Sequence, residues 1–193
     1  MIAYKTEKID NAICFFAGEV YKRTQRYLPQ TLLYKLLAYL DFYSIEKFGK
    51  PVLELKYFAC DKGPLPFEIY NKRENYESDY FKFYARTNNR YIIKPIKEAN
   101  LDYFSDFEIE IMNNLIQKYI RKNLSMSKIT DNICNDSHKD IKAYKIAYEK
   151  EKNSEIDYSD TFTKIEKKEH DRLSIQEERY LVFRGLKKIS LCD

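Results

Sequence analysis

The chain has 193 residues and 44% hydrophobic content, enough for one cored domain, with too few Gly (4) and Pro (5) for a loop-rich sandwich or a disordered chain. Its net charge of +4 is a mild excess, so a dedicated nucleic-acid-binding domain is not expected, and no apolar run is long enough to span a membrane. The opening "MIAYKTEKIDNAICFF" places acidic residues on both sides of Lys8 and lacks a small-residue cleavage site, so it does not read as a secretory signal. The cysteines Cys14, Cys60, Cys134 and Cys192 are scattered and form no CxxC pair, which points to reduced thiols in a cytoplasm.

Asp10 predicts a helix N-cap, followed by a stripe of Ile13, Phe16, Ala17 and Val20. A second helix is predicted from Pro29, which suits a first turn because its missing N–H is one of the unpaired groups there. Leu32, Leu33, Leu36, Leu37, Leu40 and Ile45 give that helix an apolar face too broad for a surface position, so it is expected at the centre of the fold. Gly49 supplies a left-handed helix stop, and Pro51 forbids continuation. In "VLELKYF" the alternation of Leu53, Leu55 and Tyr57 with Glu54 and Lys56 predicts a short strand. "CDKGPLPFEIY" then turns the chain through Gly63, Pro64 and Pro66 into a short helix.

"DYFKFYARTNNRYIIKPI" predicts a hairpin turning at Asn88-Asn89, with Pro95 on an edge or near a strand end. Ser105 and Glu108 form a capping-box pattern before a helix that turns Ile109, Met112, Ile116 and Tyr119 to the core. "SMSKITDNICNDSHKDIKAYKIAYEKEK" predicts a helix interrupted near Asn135–Ser137, and "NSEIDYSDTF" a looser stretch. Ser174 and Glu177 open a last helix. The fold class is α+β and mainly helical, a single domain over 1–193 with a central buried helix and a small antiparallel sheet or hairpin.

Little here carries catalytic chemistry. The histidines are His138 and His170. Cys134 and His138 share a helix face at i, i+4, half of a metal or thiol site, and a packing role for both is the simpler reading. His170 lies in a charged run and reads as solvated. No GxxxxGK[ST], GxGxxG or GxSxG occurs, and no metal or cofactor is expected. Asp41 faces apolar neighbours and needs donors; a hydrogen bond to the turn after Cys60 is the expected arrangement, with Lys35 out of phase to serve it. "YKRTQR", "NKR", "QKYIRK" and "FRGLKK" mix cations with aromatics, but interspersed Asp and Glu favour solvated helix faces over nucleic-acid binding.

"LYKLLAYLDFYSIEKFGKPV…KYFACDKGPLPFEIY" resembles the Panacea (SocA-like) antitoxin domain. The matching positions are Leu33, Lys35, Leu36, Leu37, Tyr39 and Asp41, then Phe48, Gly49 and Pro51, then Gly63, Pro64, Pro66 and Tyr70. Further on, Ser137, His138 and Tyr144 resemble the family's Ser-His motif, with Tyr144 where members often carry Trp, and "EIDYSD" resembles its closing segment. The resemblance covers about 10–162, leaving 163–193 as a C-terminal helical extension. It implies a non-enzymatic prokaryotic or phage-associated protein that neutralises a cognate protein toxin by direct binding, in at least one member as an adaptor to a protease. Its signature residues look architectural. Tyr180, Leu181, Phe183 and Leu186 in the variable last helix are the candidate partner contacts. A nucleic-acid-binding regulator is the alternative. The toxin and the oligomeric state stay open.

Overall fold

The computed structural model describes residues 2–189, the side chains of 170 and 188 excepted; Cys192 lies outside this range. The main helices are α1 (Lys5–Thr24), α2 (Gln30–Phe48), α3 (Phe67–Lys72), α4 (Asp106–Tyr119), α5 (Met126–Asp140), α6 (Lys142–Lys150) and α7 (Ile175–Ile189). The strands are β1 (Leu28–Pro29), β2 (Tyr57–Cys60), β3 (Gly63–Pro66), β4 (Phe81–Arg86) and β5 (Arg90–Pro95). The fold is mainly helical α+β, with a three-stranded antiparallel sheet in the order β1-β5-β4 and a separate β2-β3 hairpin.

Helix α2 is the axis. Leu32, Leu33, Leu36, Leu37, Ala38 and Leu40 are all 0% exposed, because α1, α4, α5 and β3 pack around it on different sides. It is buried nearly all round, as its broad apolar surface requires. Pro29 is its N-cap, one residue ahead of the predicted helix start, and doubles as the end of β1. Gly49 closes it at φ 76°, and its N–H donates to the Ile45 carbonyl.

Four local readings change. Helix α1 starts at Lys5, so Asp10 lies inside it and does not cap it. Asp10 instead accepts from Tyr76 Oη at 2.8 Å and Ser78 Oγ at 2.9 Å, tying α1 to the segment that enters β4. The predicted strand over 52–58 shrinks to Tyr57–Cys60. Glu54 there has φ 53°, which breaks the extended run, and the amides of Leu53 and Leu55 serve Asp41 in place of a sheet partner. The break after α5 falls at Ile141 and not at Asn135–Ser137; Ile141 adopts extended backbone (φ −88°, ψ 94°) while burying its side chain. The segment predicted to be loose docks on β2, with Ala59 and Ser154 joined by a 2.9 Å backbone hydrogen bond and Ile156 and Tyr57 by one of 2.8 Å.

The β4-β5 hairpin passes from Arg86 to its partner Arg90 through the three residues Thr87, Asn88 and Asn89, and both asparagines take the left-handed region, at φ 60° and 55°. Pro95 is the last residue of β5, where its missing donor disturbs no further ladder bond. Ser105 caps α4 in a full capping box with Glu108. Glu108 also holds Lys8 at 2.7 Å, joining α1 to α4. The box at α7 likewise forms, between Ser174 and Glu177.

Candidate functional site

The signature residues converge on α2 and the two segments that follow it. One locus centres on Asp41, which is 0% exposed. Leu53 N donates to its Oδ1 at 2.6 Å and Leu55 N to its Oδ2 at 3.2 Å. Tyr57 Oη and Tyr158 Oη each lie 3.1 Å from Oδ2. The expected bond to the turn after Cys60 is absent: that turn is reached from Lys35, and Asp41 serves the segment before Tyr57. Burial raises the Asp41 pKa, opposed by the two amides and the two hydroxyls. Tyr158 Oη is also 2.6 Å from the Leu55 carbonyl. A phenol has one hydrogen, so Tyr158 shares it between the Asp41 carboxyl and the Leu55 carbonyl and ties both to one ring. Asp41 is thus a clasp that pulls the chain after α2 back against its own helix.

The second locus is the Gly-Pro turn. Lys35, only 2% exposed, donates from Nζ to the Pro64 carbonyl at 2.7 Å. Burial lowers its pKa to about 8, partly offset by the Cys134 and Cys60 thiols. Gly63 sits at φ 93°, and an added Cβ would lie 2.7 Å from Ser137 Oγ and 2.9 Å from Lys35 Cε. Only glycine lets β3, α2 and α5 approach this closely. Ser137 is 0% exposed, and its hydroxyl donates to the Cys134 carbonyl at 2.8 Å. The His138 ring stacks on Tyr144, with centroids 5.0 Å apart. Its Nε2 is shielded from solvent and makes no hydrogen bond among the described residues, and burial with the nearby Lys35 charge lowers its pKa. Tyr144 in turn donates to the Cys60 carbonyl at 3.0 Å.

The remaining signature positions frame these loci. Leu36 and Leu37 fill the core beneath α2. Tyr39 donates to Asp140 at 3.0 Å and packs on Tyr119, locking α2 to α4 and α5. Pro51 is buried just past the helix stop, and Pro66 pairs with Tyr57 across the β2-β3 hairpin. Tyr70 lies edge-on to Tyr34 with the Arg73 guanidinium 3.9 Å from its ring centroid. Cys134 and His138 stay a pair without a third ligand: among the described residues no group of three or more His, Cys, Asp or Glu could hold a metal.

The third locus is α7. Gly49 lies directly under it: an added Cβ would collide with the Gln176 carbonyl and lie 2.7 Å from Arg179 Cβ. Tyr180, 3% exposed, packs with Ile45, Ile165 and Phe162 in a small cluster set apart from the main core. Leu181 and Phe183 are partly buried against the same cluster, whereas Leu186 is 60% exposed. The outward face carries three further residues that were not singled out from the sequence, Ile175, Val182 and Ile189, between 62% and 65% exposed. Their spacing with Leu186, seven then four then three residues, places all four on one stripe, and that spacing was the available signal. Beside the stripe runs a groove of about 720 Å³ lined by Phe48, Phe107, Val182, Phe183 and Leu186, with Lys50 and Glu178 at its rim. Among the described residues no helix is long and apolar enough to cross a membrane.

No curated protein and no solved structure matches the chain. The family model described as Antitoxin SocA-like, Panacea domain matches residues 33–132, from α2 to the first turns of α5, and stops before Ser137 and His138. That span holds Asp41 with Leu53, Leu55 and Tyr57, and the Lys35-bound Gly-Pro turn, and exceeds half of the 193 residues, so the chain belongs to the SocA-like antitoxin family with a Panacea domain.

Proposed function

We propose that this chain is the antitoxin of a toxin–antitoxin pair and silences a cognate protein toxin by direct binding in the cytoplasm. The observation that carries this reading is the outer stripe of α7, where Ile175, Val182, Leu186 and Ile189 lie exposed beside an apolar groove. A solvent-exposed apolar surface of that extent, ringed by charge, fits a protein-binding face. Leu181 and Phe183 extend it towards the domain, and Tyr180 anchors the helix beneath it. The signature residues at Asp41 and Lys35 hold the scaffold and do not touch the partner. Asp41 is sealed and saturated, which favours binding over catalysis as the work of the domain.

The test is co-expression with the adjacent open reading frame, scored by growth rescue and by co-purification. The expected result is a neighbour that is toxic alone and both bound and silenced by this chain, with rescue abolished by Val182→Asp. A neighbour that is harmless, or toxic but neither bound nor silenced, sinks the reading. Rescue that survives in cells lacking ATP-dependent proteases assigns blocking, and rescue lost there assigns delivery to a protease.

A further inference from the structure

The strand register gathers on one face four cations that stand four residues apart in the sequence. In β1-β5-β4, Leu28, Ile93 and Phe81 face the core at 0% exposure. The alternate residues therefore face outward. Across β4 and β5 the outward pairs are Lys82 with Lys94, Tyr84 with Ile92, and Arg86 with Arg90. Two of the three pairs set like charges directly opposite each other, an arrangement that destabilises a sheet. None of the four cations is in an ion pair among the described residues. Lys94 is held over two rings, 4.3 Å from the Tyr84 centroid and 4.7 Å from that of Tyr27. Tyr27 itself stacks on Tyr21 at 5.1 Å. No carboxylate lies on this face of the strands. Lys82 also borders a cleft lined by Asp10, Glu74, Glu77 and Asp79, which lie outside the strands. At the other end Arg90 opens onto a cleft of about 700 Å³ shared with Lys62, Gln30 and Asn89, with Asp131 also in its wall.

We propose that the outer face of the β1-β5-β4 sheet is a binding surface for single-stranded nucleic acid. Four unpaired cations complement phosphates, and a polyanion relieves the two cross-strand repulsions that the fold leaves uncompensated. Along β4 the order is cation, ring, cation: Lys82, Tyr84 at 43% exposure, then Arg86. That alternation fits a strand offering phosphate and base in turn, with a base stacking on Tyr84. A duplex keeps its base faces hidden and gives Tyr84 nothing to stack on, and an acidic protein segment has no array of flat faces to match the rings. The surface is formed by elements other than α7, so this inference does not depend on toxin binding.

The experiment is fluorescence anisotropy of the full chain with a labelled mixed-sequence single strand of about 20 nucleotides, titrated over a salt series. Wild type is expected to bind with a log–log salt slope of roughly −3, the value for about four phosphates on a single strand. Arg86→Glu, which gives Arg90 an opposite charge across the strands, is expected to weaken binding at least tenfold while leaving the melting temperature equal or higher. Tyr84→Ala is expected to weaken binding with the salt slope unchanged. Lys145→Glu at an exposed position of α6, the same charge change elsewhere, is expected to have little effect. Absence of binding at low salt, or equal losses from Arg86→Glu and Lys145→Glu, would overturn the proposal. So would tighter binding of the matching duplex, or a face that Arg86→Glu shows to be needed only for capture of the toxin.

Discussion

At the residue scale, Asp41 and Lys35 are two buried ionisable groups on one helix, and each closes a different segment. Asp41 gathers two amides that have no other partner among the described residues. Asp41→Ala orphans both and opens a cavity, so it is expected to cost about 3 kcal/mol or more and to lower the melting temperature by roughly 10 °C. Asp41→Asn keeps one acceptor and is expected to cost less; equal losses in thermal denaturation would contradict the clasp. Lys35 gives a pH signature. In the unfolded chain its ammonium stays charged up to about the ordinary 10.5, but in the fold only up to about 8. Between those values the unfolded state holds more protons, so the Lys35 contribution to stability rises with pH and is lost as pH falls through 8. Lys35→Met is expected to remove that rise, read as the difference between wild type and variant in denaturant unfolding at a series of pH values from 7 to 10. An identical pH profile for the two would show that the lysine is not neutralised on folding.

At the scale of elements, α7 is the part most easily separated from the rest. Its buried contacts belong to a satellite cluster around Ile45, Ile165 and Tyr180, with ion pairs from Glu177 to Lys168 at 2.6 Å and from Lys187 to Glu54 at 2.5 Å. Gly49 is the contact on which it rests. Gly49→Ala adds a methyl group where the α7 backbone lies and strains a positive φ, so it is expected to displace α7 while the main core stays folded. Hydrogen exchange should show protection lost over 175–189 and retained in α2. Loss of protection throughout would mean that α7 is integral to the core. The capping boxes at α4 and α7 and the Asn-Asn hairpin were legible in the sequence because each is decided within four residues. The start of α1, the length of β2 and the break at Ile141 were not. Asp10 serves hydroxyls 66 and 68 residues away, Leu53 and Leu55 serve the Asp41 carboxyl, and Ile141 is buried in the core, each in preference to its local pattern.

At the scale of the whole molecule, the two proposed surfaces are built on different elements and should separate. Val182→Asp introduces a charge into the α7 stripe at a residue already 62% exposed, so the fold should tolerate it. Buried in a toxin interface, the same charge is expected to weaken binding at least tenfold, measured by calorimetry, with oligonucleotide binding intact. Arg86→Glu should do the reverse.

The sequence alone determined the class of the fold, the central place of α2, the Gly49 and Gly63 stops, the hairpin and the family, because apolar periodicity, glycine and proline act over short spans of chain. It also marked Asp41 as a buried acid in need of donors. Only the tertiary structure decided which donors those are, since Tyr158 reaches Asp41 across 117 positions. It likewise decided that Tyr180 faces inward while Val182 and Leu186 face out, and that Lys82, Arg86, Arg90 and Lys94, spaced four residues apart in the chain, lie side by side on one face of the sheet. Side-chain neighbours across a sheet or between helices are set by register and packing, and neither is encoded in adjacent residues.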